Sequence, residues 1–400
     1  MVRPSENGQR MASSTSGISL VLQLLAKQDA LSRIELARLT GLTPSAITTV
    51  VQKLLQLDLI KEAGKQSSTG GRRARLLEIN PKAGNVLAVE FDQEETTIAL
   101  SDLCGSLNSS RTYKTSSGSA QVMVDTLVQC INGFIREHKL RKQDIKAVGV
   151  STQGMVDSDL GTVSSPVSFQ WKRPIPLREM LESGIGIPVV IEQDARLAAI
   201  AEARFGAAKD TTDLIYINIG TGIGAGILHD GKLFTGAQHG AGEFGHTTVD
   251  YSGEPCLCGN VGCIENIASI PAMALQYRRR LIEAGQSVEG FSSNVFITAL
   301  ADRSPLAVEV FENAMQYLGY GLINLVNLFD PRLVVIGGPL SVLGQSAFQP
   351  IADMIRESRI HGASGGAELV VSKLGDKVQL LGAVTLALDK LFAFTIPGLI

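Results

Sequence analysis

Three of the five cysteines fall within eight positions, Cys256-Leu257-Cys258-Gly259-Asn260-Val261-Gly262-Cys263, and His246 lies ten residues upstream of the first. In a reducing compartment such clustering favours a metal over a disulfide. One imidazole and three thiolates make a closed tetrahedral zinc site, and four protein ligands leave no open position, so the predicted role is structural. Cys104 and Cys130 stand apart in the sequence and read as ordinary buried thiols.

Carboxylates flank this knot. Glu243 sits in Gly242-Glu243-Phe244-Gly245-His246, Glu265 follows Cys263 by two residues, and Asp194 follows the apolar strand-like run 187–191 at the start of a helix. Acids at strand ends and beside a rigid loop suit bidentate hydrogen bonding of polyols; singly, each reads more readily as a solvated surface acid.

A third chemical signal is the turn Gly220-Thr221-Gly222-Ile223-Gly224-Ala225-Gly226, where backbone N–H groups unobstructed by a Cβ can cradle an anion. A plain hairpin turn is the alternative. The turn joins strands predicted over 214–219 and 224–228, and an earlier segment repeats the pattern: strand 86–91, turn 92–95, strand 96–100. The earlier turn carries Glu94 and Glu95 where a phosphate cradle needs glycine. Two carboxylates there would repel a triphosphate and fill its space. Each copy ends in a Gly-containing turn (Cys104-Gly105, Asp230-Gly231), and helical stretches at 122–138 and 195–205 are interleaved, which predicts an α/β body in two related halves.

Ahead of that body the spacing predicts three short helices. One covers 18–26. A second opens at Ser32, with Glu35 as the reciprocal partner of a capping box and Leu36, Ala37 and Leu39 on its apolar side. Thr40-Gly41 breaks it. Thr43 caps and Pro44 starts a third, whose Ile47, Val50, Val51, Leu54 and Leu55 form one buried face. Its other face carries Ser45, Thr48, Thr49, Gln52 and Lys53. Strands at 59–62 and 75–79 flank 64–74, with Arg72 and Arg73 at the tip. Two helices joined by a Gly turn and followed by such a hairpin read as a winged helix-turn-helix, whose second helix enters a major groove and whose tip arginines reach phosphates or a minor groove.

The charge divides accordingly. Residues 1–75 hold eleven Lys or Arg and five Asp or Glu, a net of +6, whereas the remainder holds 25 and 34, a net of −9. A basic head on an acidic body points to a polyanionic partner for the head alone. With 400 residues, 44% of them hydrophobic and 19% charged, a full core and two or three domains are available, which excludes a disordered chain or a disulfide scaffold. No apolar run reaches the ~18 residues of a membrane span. Residues 1–19 lack the apolar stretch of a secretory signal, so the expected location is the cytoplasm.

Gly-Glu-Phe-Gly-His at 242–246 followed by Cys256, Cys258, Cys263 and Glu265 resembles the signature of the ROK family of sugar-responsive repressors, open reading frames and sugar kinases. The head, including Gly70-Gly71-Arg72-Arg73, is similar to the repressor branch, although Ala74 stands where that branch usually has proline. The resemblance covers the whole chain and implies a winged helix-turn-helix over 1–80. It implies a two-lobed actin/hexokinase-like (ribonuclease H-like) α/β body, joined to the head by a linker at Asn80-Pro81-Lys82. The first lobe, 81–195, would be completed by a C-terminal helix at about 380–400; the second, 196–379, would hold the zinc loop and an oligomerisation surface.

By the same resemblance His246, Cys256, Cys258 and Cys263 hold zinc, and Glu243, His246 and Glu265 contact a sugar. Asp194 matches the kinases' general base, Gln193 replaces their Asn, and Gly220, Thr221, Gly222 and Gly224 form a vestigial phosphate loop. The kinases' Asp-x-Gly-Gly-Thr is Asp92-Gln93-Glu94-Glu95-Thr96 here, and their nucleotide-site glycines after strand 333–336 are only partly kept in Gly337-Gly338-Pro339. The expectation is therefore a non-enzymatic repressor of sugar genes, working as a homodimer or homotetramer on a double-stranded operator with no membrane partner. Its effector would be a sugar, a sugar phosphate or a transport-system protein. The alternative is a sugar kinase with an added DNA-binding head.

Overall fold

The structure, a computed structural model, describes residues 6–28, 30–65, 74–116, 118–165, 169, 171–209, 211–358 and 366–393. Arg72 and Arg73, expected at a wing tip, lie outside the described residues, as do 394–400 of the expected C-terminal helix.

The head is built from helices Glu6–Lys27, Arg33–Thr40 and Pro44–Gln56 and a three-stranded sheet. Ser32 Oγ accepts from the Glu35 N–H at 3.3 Å while Glu35 accepts from the Ser32 N–H at 2.8 Å, so the capping box satisfies both groups at this helix start. Gly41 closes the helix in the left-handed region, and Thr43 caps the next helix through the Ala46 N–H, with Pro44 in its first turn. Ile47, Val50, Val51 and Leu54 are buried; Leu55 only partly so. Leu31 and the cap residue Ser32 form a short strand against Leu77 and Leu76, and Ile60–Lys65 pairs antiparallel with Arg75–Ile79.

The expected linker is a packed junction. Asn80 caps a 3₁₀ turn at Pro81–Ala83, donates its side-chain amide to Asp58 O at 2.8 Å and its backbone N–H to Leu59 O at 2.9 Å. Ile18, Leu22 and Leu54 of the head share one hydrophobic core with Val86, Leu103, Leu388 and Leu391 of the body. Proline punctuates the chain locally, but the burial of both apolar faces holds the head against the body.

Two five-stranded sheets form the body, with the same spatial order in each half. In the first, Val189–Gln193 and Ile145–Thr152 run parallel to Asn85–Phe91, which pairs antiparallel with Glu95–Asp102 and that with Leu107–Lys114. In the second, Glu368–Val371 and Leu333–Gly337 run parallel to Leu214–Ile219, followed by Ile223–His229 and Lys232–Leu233. Each half ends in a helix that crosses over. Asp194–Phe205 packs on the second sheet, Val378–Phe392 packs on the first, and the two helices pack on each other. A Cβ on Gly382 would lie 2.0 Å from Leu197 O, so only glycine allows this approach. No helix among the described residues is long and apolar enough to cross a membrane.

Candidate ligand cleft and metal centre

The Gly242–His246 segment is laid on the strand Ile223–His229 by its two glycines. A Cβ on Gly242, at φ +97°, would meet Ala225 O at 2.1 Å, and one on Gly245 would meet Ile223 O at 2.3 Å. The Ala225 N–H donates to Gly242 O at 2.8 Å, and Phe244 is buried beneath. The loop therefore anchors through Phe244 and presents Glu243 and His246, both partly exposed.

His246 Nδ1 lies 3.6 Å from Cys256 Sγ, and Cys258 Sγ lies 3.7 Å from Cys263 Sγ. All four ligand atoms fall within 4.8 Å of one another. A tetrahedral zinc with ~2.3 Å bonds to sulfur spaces its ligand atoms by about 3.7 Å, so the cluster fits that ion's size. Burial, followed by the neighbouring Cys256 and Cys258 thiols, raises the Cys263 thiol above its ordinary value. A bound cation would oppose that shift and favour the thiolate. Turn hydrogen bonds shape the knot: the Cys256 N–H donates to Asn260 O at 2.8 Å and the Gly259 N–H to Cys256 O at 2.9 Å. Cys104, expected to be buried, is exposed, and Cys130 is only partly covered; each sits near an element's surface, where a small thiol needs no burial.

Glu265 opens the short helix Glu265–Ala268 and joins three features. Its Oε1 lies 4.0 Å from His246 Nε2, and its Oε2 accepts the Ile223 N–H at 2.9 Å, at the end of the Gly220 turn. Across the cleft Gln193 ends the strand Val189–Gln193, and its Nε2 donates to Glu243 Oε1 at 3.0 Å. Asp194, next in sequence, begins the helix Asp194–Phe205. Burial, with help from Glu243, pushes its carboxyl up to about 6. Gln193 and Asp194 thus lie beside Glu243, while His246 and Glu265 lie beside each other, one on the same loop as Glu243 and the other on the helix that follows the knot.

Two contributors were missed by sequence reasoning. Glu90 pairs in register with Ser151 and faces Asp194; burial first, then Asp194, Asp92 and Asp376, push its carboxyl up to about 8. Arg196, 1% exposed, pairs with Glu192 at 3.1 Å and donates to His239 O at 2.6 Å and Ala241 O at 2.8 Å. It ties the first lobe to the chain entering Gly242-Glu243. An arginine on an alanine-rich helix gives no local sign of this.

The two hairpin turns differ. Ile219 pairs with Ile223 across Gly220–Gly222, whereas Phe91 pairs with Thr96 across residues 92–95. The first turn is thus one residue longer than the second, and Glu94 and Glu95 lie within it. Asp92 Oδ1 accepts the Glu94 and Glu95 N–H groups, both at 2.8 Å, so a carboxylate of the chain already fills the first turn. In the second, the Gly220 N–H donates to Gly222 O at 2.9 Å, and Thr221 is exposed.

On the head, Ser45, Thr48, Thr49, Gln52 and Lys53 are all exposed along one face of Pro44–Gln56. The Thr48 and Thr49 hydroxyls donate to Pro44 O and Ser45 O, which leaves their oxygens as outward acceptors.

A sequence model of the ROK family matches residues 86–390. The chain is 30% identical over 372 residues to the xylose repressor of Bacillus subtilis, covering 92% of this chain and 94% of that protein. Among solved structures, a ROK family transcriptional regulator described as a homolog of the Escherichia coli MLC protein superposes with a TM-score of 0.83 at 29% identity, covering 96% of this chain and 98% of that one. A ROK family glucokinase from Streptomyces griseus, in complex with glucose and AMPPNP, gives 0.67 at 32% identity, covering 76% of this chain and 99% of the kinase. The mixed α/β, actin/hexokinase-like fold is thus shared with both.

Proposed function

Because the chain belongs to the ROK family, we propose that it is a DNA-binding transcriptional regulator, a repressor of sugar uptake or catabolism genes, whose interlobe cleft takes a sugar. The head carries this reading. The regulator structure covers 96% of the chain and the kinase only 76%. Along Pro44–Gln56, Ser45, Thr48, Thr49, Gln52 and Lys53 stand free to meet base edges and phosphates. The head is a winged helix-turn-helix, with Arg72 and Arg73 completing its contacts.

In the cleft, Gln193, Asp194, Glu243, His246 and Glu265 bind sugar hydroxyls. Their acid-rich surroundings favour a neutral sugar over a sugar phosphate, because Glu90, Asp194, Glu243 and Glu265 would repel added negative charge. His246, Cys256, Cys258 and Cys263 hold one structural zinc, which fixes the loop bearing Glu243 and His246. Closure of the lobes on sugar shifts the population of head orientations and so their fit to two operator half-sites, which a homodimer or homotetramer spans. A transport-system protein is a second inducer compatible with this arrangement.

Phosphoryl transfer is disfavoured. Asp92 occupies the first turn, and the Gly220 turn alone is half of a phosphate clamp. Asp194 then serves as a sugar ligand without a phosphoryl donor to act on.

The test is fluorescence anisotropy on a duplex selected by the protein from a random pool, with D-xylose, D-glucose and their phosphates added in turn. A sugar-dependent change in operator affinity without ATP turnover supports the reading. Sugar-dependent ATP consumption abolished by Asp194→Asn would overturn it.

A further inference from the structure

The helix Asp194–Phe205 starts in the cleft and ends against the head. At its far end Arg204 Nη2 donates to Ala26 O at 3.1 Å, in the last turn of the head helix Glu6–Lys27. Its Nη1 lies 3.6 Å from Asp389 of the helix Val378–Phe392. One guanidinium therefore joins three helices: the one that begins at Asp194, the one that crosses the first sheet, and the first helix of the head.

The chemistry suits a joint. The last carbonyls of a helix have no intrahelical donor, and a cation is favoured at that end. The Arg204 side chain is 15% exposed, a burial that is costly unless the charge is paired. The surrounding apolar core, which includes Leu22 and Leu25 of the head and Leu388 and Leu391 of the body, holds the head close but is non-directional. A guanidinium–carbonyl hydrogen bond is directional and weakens steeply with misalignment. It therefore fixes the angle between the two helices.

At the other end Asp194 reaches the sugar site, and Arg196 grips the carbonyls of His239 and Ala241 ahead of Glu243. Ten residues at ~1.5 Å each make this a rod of about 15 Å. We propose that Arg204 is the positioning residue through which closure of the cleft sets the angle of the DNA-binding head. The proposal rests on the regulator reading above and deepens it.

The experiment uses the full chain, a duplex selected from a random pool by the wild-type protein, and D-xylose or D-glucose, whichever binds the wild type in calorimetry. The readout is the ratio of operator Kd with and without that sugar. Coupling is reciprocal, so the ratio of sugar Kd with and without operator must agree with it. For the wild type a ratio of about tenfold or more is expected. Arg204→Met is expected to bring it to within about twofold of unity while still binding sugar and operator separately.

Arg204→Lys keeps the charge but reaches Ala26 O or Asp389, not both; it should give an intermediate ratio and decides the matter if the Met variant does not fold. A lowered Tm with the wild-type ratio kept would make Arg204 a stability residue only and overturn the proposal. A wild-type chain whose operator affinity ignores both sugars would sink the regulator reading and the relay together. A wild-type response retained by both variants would sink the relay alone.

Discussion

Gln193 donates its side-chain amide to Glu243 across the cleft, at 3.0 Å, from the end of a first-lobe strand to a second-lobe loop. Its own Oε1 is buried without a partner among the described residues. An orphaned buried acceptor costs about 1–3 kcal/mol, and a sugar hydroxyl could satisfy it. Gln193→Met is therefore expected to lower sugar affinity about tenfold while leaving Tm close to that of the wild type, since removal of the orphan offsets loss of the bond to Glu243. Calorimetry and a thermal melt of the same sample check both directions. A fall in both would make Gln193 structural only.

The carboxylates that ring the site set the charge of its ligand. Burial, helped by Asp194 and Asp92, already raises the Glu90 carboxyl, and burial, helped by Glu243, raises that of Asp194. Glucose should therefore bind more tightly than glucose 6-phosphate, and lowering the pH from 8 to 6 should narrow the difference as Glu90 takes up a proton. A competition assay at both pH values measures this. Tighter binding of the phosphate at pH 8 would place the ligand elsewhere.

Purified protein should contain about one zinc per chain. Cys258→Ser or Cys256→Ser should release it and weaken sugar binding by at least about tenfold, because ligand loss of this kind loosens the loop that carries Glu243 and His246. Operator binding without sugar should survive, since the head lies apart from the knot. Metal analysis beside anisotropy tells these apart; full sugar affinity in metal-free protein would refute the coupling.

What could be read in the sequence was local. Ser32 and Glu35 lie three residues apart, Thr43-Pro44 is contiguous, and the paired strands repeat as short apolar runs, so each signal fits in one window. The Cys256–Cys263 knot and His246 also lie close in sequence. Glu90 could not be found this way, because its neighbour Asp194 arrives from a different strand end. The part played by Asp92, whose carboxylate accepts the Glu94 and Glu95 N–H groups, is set by the folded turn and not by residue type. Asn80-Pro81 looked like a linker because proline speaks only for its own dihedral; the shared core of Leu22, Leu54 and Leu388 is a long-range fact. Arg196 and Arg204 likewise act on carbonyls 43 and 178 residues away in the chain.

Stability should fall as pH rises from acid toward alkaline. The Glu90 carboxyl moves from an ordinary 4.5 to about 8 on folding, and that of Asp194 from 3.8 to about 6. Between those limits the folded chain binds more protons than the unfolded one, so this contribution is full below about pH 4 and is lost as pH rises through 6 and then 8. Glu90→Gln should flatten the upper part of that slope and raise Tm at pH 8 to 9. Thermal melts at half-unit pH steps would show it. An unchanged slope would remove Glu90 from the buried cluster.

The head's positive charge makes a separate claim about salt. A protein that neutralises phosphates releases counterions, and the logarithm of its affinity falls with the logarithm of salt by about 0.9 for each phosphate contacted. Arg72 and Arg73 sit in sequence between the hairpin strands Ile60–Lys65 and Arg75–Ile79, and Lys53 is exposed on the helix Pro44–Gln56. If both arginines meet phosphates, replacing the pair with alanine should lower the slope by about 2, weakening operator and random duplex alike. Gln52→Ala should behave differently. Lacking charge, it should leave the slope alone and reduce only the preference for operator over random duplex, by about 1–3 kcal/mol if it reads a base. Titrations on both duplexes from 50 to about 200 mM salt separate the two effects. An unchanged slope in the double-arginine variant would take the hairpin tip out of the DNA interface, and an unchanged preference in Gln52→Ala would take its side chain off the base edges.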